Sequence, residues 1–324
     1  MGELSRYELD AAAHTLANRV LGRVARDVSL SQLSAWRIGG KADLVFWPQG
    51  ESDLIRGVTL IQKLGIKITV VGMTTNLLFA DEGLRGALIV IASGHTKIET
   101  SESRLIVEAG TWTPHVAITA MRQGLTGIEH ICGIPGTFGG LICMNGGSLR
   151  RSISENIEEI RIWSGSGPIR VLNANQCEFQ YRASRFLHSN EFILSATLLL
   201  EHGNRATIRK TMLDILAARR RFPRKIPNCG SVFVSEPTTY REWGSPGAMI
   251  EKAGLKGTRI GGAMIARQHA NFILNTGGAT AADVLSLIRL VRSRIWESTG
   301  TWIRTEAHYV SMDGKITPAT GSEE

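Results

Sequence analysis

Two glycine-bearing loops and one scattered set of polar residues hold the chemistry this chain can offer. The first loop, Gly72-Met73-Thr74-Thr75-Asn76-Leu77, follows an apolar run ending at Val71 and sets one glycine and three small polar side chains ahead of an apolar pair. Such a loop can wrap a pyrophosphate with backbone N–H groups. Taken alone it reads equally well as an ordinary polar turn. The second loop is Gly133-Ile134-Pro135-Gly136-Thr137-Phe138-Gly139-Gly140, continued by Met144-Asn145-Gly146-Gly147, with six glycines in fifteen positions. Missing side chains let a flat ring or a phosphate approach the backbone closely; the plainer reading is a succession of turns.

The scattered set comprises Tyr181-Arg182-Ala183-Ser184-Arg185-Phe186, then Pro227-Asn228-Cys229-Gly230-Ser231-Val232-Phe233, then Glu306 within Trp302–Val310. Read as a strand, that last segment puts Trp302, Arg304, Glu306 and His308 on one face and Ile303, Thr305, Ala307 and Tyr309 on the other. Singly, Arg182 reads as a surface ion pair, Ser231 as a turn hydroxyl and Glu306 as a solvated strand residue. They become informative only together with the loops. No G-x-G-x-x-G follows a strand, and neither G-x-x-x-x-G-K-[ST] nor H-E-x-x-H occurs, so a dinucleotide is not held by a Rossmann turn. Cys132, Cys143, Cys177 and Cys229 form no C-x-x-C pair, which indicates free thiols and no zinc site or disulfide framework.

Short β-branched runs must carry these loops: Ile66–Val71, Ala87–Ile91, Leu105–Glu108, Ile157–Ile162 and Phe192–Leu200, separated by glycine-rich turns. Between residues 30 and 201 only His115–Gln123, closed by Gly124, reads as a helix of any length. Ahead of them, Leu9, Leu16, Val20 and Leu21 suit a short amphipathic helix. After His202 the texture changes. Ala206–Arg221 predicts a helix with Ile208, Met212, Ile215 and Leu216 on one face, ending before Pro223. A shorter helix at Gly247–Ala253, a strand at Ala270–Leu274 and a long helix capped by Thr280 follow, and the polar stretch from Lys315 to Glu324 reads as frayed.

The 324 residues predict about two domains. Hydrophobic residues at 43% and charged residues at 20% exclude a disordered or fibrous chain. No apolar run reaches the length of a membrane span. The start, Met1-Gly2-Glu3-Leu4-Ser5-Arg6, lacks a signal peptide's apolar core, and a cytoplasmic address is the expectation. The net charge of +8 favours anionic partners, among them nucleic acid, a nucleotide cofactor or a diphosphate substrate. Arg219-Arg220-Arg221 is a basic cluster, but no strand patch interleaves basic and aromatic residues as RNA-binding modules do, which argues against nucleic acid.

Read in order, Trp36-Arg37-Ile38-Gly39-Gly40-Lys41-Ala42, Thr75-Asn76-Leu77-Leu78, Gly133–Gly140, Tyr181–Phe186, Gly230-Ser231-Val232-Phe233 and His269-Ala270-Asn271-Phe272-Ile273 resemble the UDP-N-acetylenolpyruvoylglucosamine reductase (MurB) family. The resemblance spans about Leu30 to Tyr309 and includes Asn275-Thr276-Gly277-Gly278-Ala279-Thr280-Ala281. The direct run from Tyr181–Phe186 into the carboxy-terminal part is similar to the shorter, type II-like subtype. The resemblance implies an α+β chain: an N-terminal helical segment over 1–27, a vanillyl-alcohol-oxidase/PCMH-type FAD-binding domain over 28–204, a smaller α+β substrate-binding domain over 205–314, and a tail over 315–324.

It further implies an NADPH-dependent flavoenzyme that reduces UDP-N-acetylglucosamine enolpyruvate to UDP-N-acetylmuramate for peptidoglycan, expected as a monomer without nucleic-acid or membrane partners. By the matching motifs FAD would lie on Gly72, Met73, Thr74, Thr75, Asn76, Leu77, Gly133, Ile134, Pro135, Gly136, Thr137, Gly139, Gly140 and Arg219. Ser231 resembles the proton donor to C2, while Arg182 and Glu306 resemble the pair that polarises the substrate carboxylate. Thr74-Thr75 replace the family's usual Gly-Ser, Val234-Ser235 its Lys-Asn, and His308 its Arg. These departures keep open a paralogue acting on another enol ether or unsaturated acid. A non-catalytic flavin- or nucleotide-binding module is the alternative from a different class.

Overall fold

The computed structural model describes residues 5–223 and 225–320. They sort into two compact units of non-contiguous chain. The first holds the described residues up to 25, then 45–73 and 87–220; the second holds 26–44, 74–86 and the described residues from 221 onward.

In the first unit, α1 (Arg6–Ala17) starts at a capping box between Ser5 and Glu8 and buries Leu9, Ala12 and Leu16. Val20 and Leu21, expected on the same face, lie beyond its end, and Leu21 is 75% exposed. The cause is local: the Asp53 carboxylate accepts the N–H groups of Leu21 and Gly22 at 2.7 and 2.8 Å and turns the chain. That carboxylate belongs to α2 (Glu51–Lys63), a helix the sequence reading lacked. Gly57 and the β-branched Val58 and Thr59 weaken its helical signal. Gly57 has a packing reason, because a Cβ there would stand 2.2 Å from the Phe46 ring.

Helix α3 (Thr113–Arg122) forms where expected and stops at Gly124, which takes φ +70°. Two more helices complete this unit: the short α4 (Phe138–Cys143) and α5 (Arg205–Ala218), which buries the expected Ile208, Met212 and Ile215. A five-stranded antiparallel sheet runs in the order Arg170–Asn173, Ile157–Trp163, Phe192–Leu199, Arg104–Glu108, Ile98–Ser101. Its central strand is buried on both faces through Leu198, Ser195 and Thr197 included. The strand Ile68–Val71 pairs in parallel with 87–90, Val71 opposite Val90, and delivers the chain into the first loop.

The second unit carries α6 (Pro237–Trp243), α7 (Pro246–Lys252) and α8 (Ala281–Thr299), the last with the expected Thr280 N-cap, which Asp283 completes as a capping box. Val284, Leu287, Ile288, Val291 and Ile295 of α8 enter a core that also takes Trp36, Ile38 and Leu78 from the amino-terminal half. The Trp36 indole N–H donates to the Ile273 carbonyl at 2.7 Å, and the Asn275 side-chain amide donates to the Trp36 carbonyl at 2.9 Å. One three-stranded sheet joins Arg259–Ile260, Ala263–Ile265 and Ile273–Asn275. The strand expected from Ala270 begins three residues later, since Asn271 spends its side chain on the backbone of Phe233.

A second sheet places His308–Val310 between Leu77–Phe79, parallel, and Ile316–Pro318, antiparallel. The stretch after Lys315 is therefore not frayed through residue 320: it completes a sheet edge, Ala319 is fully buried, and its N–H donates to the Ala307 carbonyl at 2.9 Å. Residues 321–324 and the first four lie outside the described residues. Among the described residues no helix is long and apolar enough to cross a membrane. The four cysteines are free thiols.

Candidate active site

Within the first unit the two glycine loops meet. A Cβ on Gly72 would lie 2.2 Å from the Thr137 hydroxyl oxygen, so only glycine lets the first loop press against the second. Thr137 caps α4, its hydroxyl accepting the Gly140 N–H at 3.3 Å. Gly139 packs on Ala109, where a Cβ would stand 2.9 Å from the alanine methyl, and its N–H donates to the Ala109 carbonyl at 2.7 Å. Gly136 takes φ +131°, a conformation for which glycine alone is suited, and its carbonyl accepts both the N–H and the hydroxyl of Thr113. Gly133 lies under the Arg219 side chain, whose Cδ would be 2.7 Å from a Cβ there. Ile134 is half-buried, while Met73, Pro135 and Gly140 are exposed. Gly72, Gly133 and Gly139 thus let the side chains of Thr137, Arg219 and Ala109 close on the loop backbone, while the exposed Met73, Pro135 and Gly140 leave loop backbone open to a ligand, with the Arg219 guanidinium beside Gly133 suited to an anionic one.

The rest of the first loop belongs to the second unit. Thr74 is buried with φ +53°, the left-handed region that a β-branched residue seldom takes, and its hydroxyl donates to the Leu33 carbonyl at 2.6 Å. That bond compensates a threonine where glycine would be unstrained. Thr75 and Leu77 are half-buried, and the Leu77 N–H closes the turn on the Thr74 carbonyl at 3.2 Å. The Asn76 side-chain amide donates to the Glu306 carbonyl at 2.7 Å.

Arg182 occupies a turn sewn to the tail of the second loop. It holds φ +58°, and its guanidinium donates to the Gly147 carbonyl at 2.7 Å and to the Asn145 carbonyl at 3.5 Å while lying over the Tyr181 ring. Asn145 donates to the Gln180 carbonyl at 2.8 Å and accepts the Ser154 N–H, and the Ser184 hydroxyl donates to the Cys143 carbonyl. Asn145 was legible only as one loop residue among several, since nothing local marks its long-range partners.

Ser231 sits on a turn built by Asn228, whose amide donates to the Pro223 and Ile226 carbonyls at 2.7 Å and whose oxygen accepts the Gly230 N–H at 2.9 Å. Gly230 takes φ +84°. Beyond the serine, Asn271 brackets Phe233 through both its N–H and its carbonyl, and the Glu306 N–H donates to the Val232 carbonyl at 2.7 Å. Burial pushes the Cys229 thiol well above its ordinary value, and the Glu306 carboxylate adds to the shift.

The expected strand Trp302–Val310 is shorter, His308–Val310 only, because residues 304–306 bond to 232–234 instead. The predicted faces hold through Ala307, with Trp302 and Arg304 exposed, Glu306 half-buried and Ile303, Thr305 and Ala307 buried. They then slip by one: His308 is buried beside the Glu306 carbonyl, not on the polar face. Val234 is buried too, and Arg304 pairs with Glu236 at this edge.

A model of the C-terminal domain of UDP-N-acetylenolpyruvoylglucosamine reductase matches residues 222–310, and an FAD-binding-domain model matches residues 42–173. The chain is 39% identical over 305 residues to UDP-N-acetylenolpyruvoylglucosamine reductase 1 of Corynebacterium glutamicum, covering 94% of this chain and 91% of that one. The chain belongs to this reductase family. A Heliobacterium modesticaldum member is 35% identical over 94% of this chain and 96% of its own length. The crystal structure of the Thermus caldophilus reductase superposes with a TM-score of 0.74 at 30% identity, covering 89% of this chain and 99% of that one. Family membership brings with it the α+β fold and the PCMH-type FAD-binding domain expected from the motifs.

Proposed function

We propose that this chain is an FAD-containing, NADPH-dependent oxidoreductase that reduces UDP-N-acetylglucosamine enolpyruvate to UDP-N-acetylmuramate, a step of peptidoglycan precursor synthesis. The observation that carries this reading is family membership along almost the whole chain, and the close contact of Gly72 with Thr137, which brings the two glycine loops together, supports it. The FAD-binding domain is read as 28–204 and the substrate domain as 205–314, and the two matched segments, 42–173 and 222–310, fall inside them, whereas the compact units divide the chain differently, with 26–44 and 74–86 in the second and 205–220 in the first. The protein acts as a cytoplasmic monomer in this reading.

The FAD diphosphate would be held by the backbone of Gly72–Leu77 and its ring by Gly133, Ile134, Pro135, Gly136, Thr137, Gly139 and Gly140, with Arg219 supplying positive charge. FAD bound there would supply the hydride chemistry, accepting hydride from NADPH and donating it to C3 of the enol ether. Negative charge then develops at C2 and on the adjoining carboxylate of the substrate. Arg182 and Glu306 polarise that carboxylate; the guanidinium is a fixed countercharge that needs no reorganisation as charge builds. The Ser231 hydroxyl delivers a proton to C2. Serine is a weak acid in water, but here it meets a strongly basic carbon, and a positioned donor is worth roughly 10²–10⁴-fold.

Stopped-flow mixing of the photoreduced yellow protein with UDP-N-acetylglucosamine enolpyruvate tests the reading directly. Rapid return of the flavin absorbance is expected. A protein that cannot be loaded with FAD overturns the reductase assignment, and a loaded protein that the substrate fails to reoxidise points to another enol ether.

A further inference from the structure

Asn76 lies in the loop assigned to the FAD diphosphate, and its side chain reaches a distant segment of the chain. Its Nδ2 donates to the main-chain carbonyl of Glu306 at 2.7 Å, across 230 positions of sequence. Its own carbonyl accepts the His308 N–H at 3.0 Å, so Asn76 grips the 306–308 segment twice. The other side of the Glu306 residue is also held, its N–H donating to the Val232 carbonyl at 2.7 Å, directly after Ser231. Every one of these bonds lies within the second unit. The two ends of the Glu306 residue's backbone are thus fixed by two different loops: the one carrying Ser231 and the one that ends in Asn76.

We infer that Asn76 is a positioning residue for Glu306, setting the carboxyl's attachment point by bonding its carbonyl. The physical reason is that a carboxylate orients a substrate only as well as its Cα is held, and displacement of a reacting group by about 1 Å can cost roughly 10²-fold. The half-buried Glu306 backbone has no helix or long strand to hold it, since the regular strand begins only at His308. An asparagine meets the need because its amide donates to a carbonyl while its backbone continues into the Leu77–Phe79 strand, which pairs with His308–Val310.

This inference rests on the proposed role of Glu306 in enol-ether reduction, and a double-mutant cycle separates the two. Asn76→Asp keeps the shape but replaces the donor by a carboxylate oxygen facing a carbonyl; Asn76→Ala removes the group outright. Flavin content, melting temperature and single-turnover reoxidation by UDP-N-acetylglucosamine enolpyruvate are measured for Asn76→Asp, Asn76→Ala, Glu306→Gln and the Asn76→Asp/Glu306→Gln pair. We expect flavin to be retained and reoxidation by either Asn76 variant to slow roughly 10- to 100-fold. In the Glu306→Gln background the further loss from Asn76→Asp should shrink to less than about threefold, because residues acting through one another are not additive. Loss of flavin in both Asn76 variants would overturn the inference in favour of a cofactor ligand. Equal slowing in both backgrounds would overturn it in favour of a general structural role. If Glu306→Gln alone leaves reoxidation unchanged, the reading of Glu306 fails first and this inference falls with it.

Discussion

The N–H of Glu306 donates to the carbonyl of Val232 at 2.7 Å, so Glu306 is tied to the residue that directly follows Ser231, the other residue assigned to the same chemistry. Their separation in sequence is closed by a short antiparallel pairing of 304–306 with 232–234, which includes a bridge between Phe233 and Thr305. Removing the proton donor should therefore separate the two half-reactions. Ser231→Ala is expected to accept electrons from NADPH at a near-normal rate while its reoxidation by the enolpyruvyl substrate slows by roughly 10²-fold or more. Single-turnover traces of each half-reaction check this, because they isolate chemistry from binding. Unchanged reoxidation with substrate bound would mean that the proton comes from another group.

The contact between the loops predicts the behaviour of two glycines. Gly72→Ala would drive a methyl into the Thr137 hydroxyl, and Gly136→Val would force a β-branched residue to φ +131°. Both variants should purify with much reduced flavin while unfolding cooperatively. The ratio of visible to ultraviolet absorbance, measured alongside a thermal melt, reports both quantities; full flavin occupancy in both variants would remove the loops from the cofactor site.

Neighbouring arginines should differ sharply. Arg219 lies against Gly133, whereas Arg220 is exposed. Arg219→Met is expected to weaken FAD binding roughly tenfold, the worth of one charge-assisted contact, and Arg220→Met to leave it within about twofold. Fluorescence titration of apoprotein with FAD makes the comparison, and equal effects would reduce both to a solvated helix end.

His130 predicts a pH dependence of stability. Its ring is buried directly before the second loop, and burial, with the positive Arg151 adding, pushes its pKa down from 6.5 to about 4. The folded value is depressed, so the unfolded chain binds the extra proton between those limits. Stability is then full above about pH 6.5 and declines as pH falls toward 4, by roughly 3 kcal/mol in all. His130→Phe should flatten that part of the profile. Chemical denaturation at pH 7 and pH 5 tests it, and an unchanged difference between the two would show that other groups carry the acid dependence.

What the sequence determined by itself is local. The glycines of 133–140, the Thr280 N-cap and the helix with Ile208, Met212 and Ile215 on one face are written in residues adjacent or a turn apart, where backbone sterics and hydrophobic period act. The family was legible as well, because its motifs are short strings in a fixed order. Tertiary structure decided whatever depended on a distant partner. Helix α2 contains Gly57, which looks like a breaker until Phe46 is placed against it. Ile316–Pro318 looks like a tail until His308–Val310 offers an edge. Thr74 tolerates a left-handed backbone through a bond to Leu33, and Asn76 reaches Glu306 across 230 positions. Hydrogen bonds and close packing between remote segments leave no periodic trace along the chain, since each is satisfied only once folding has brought its partner within reach.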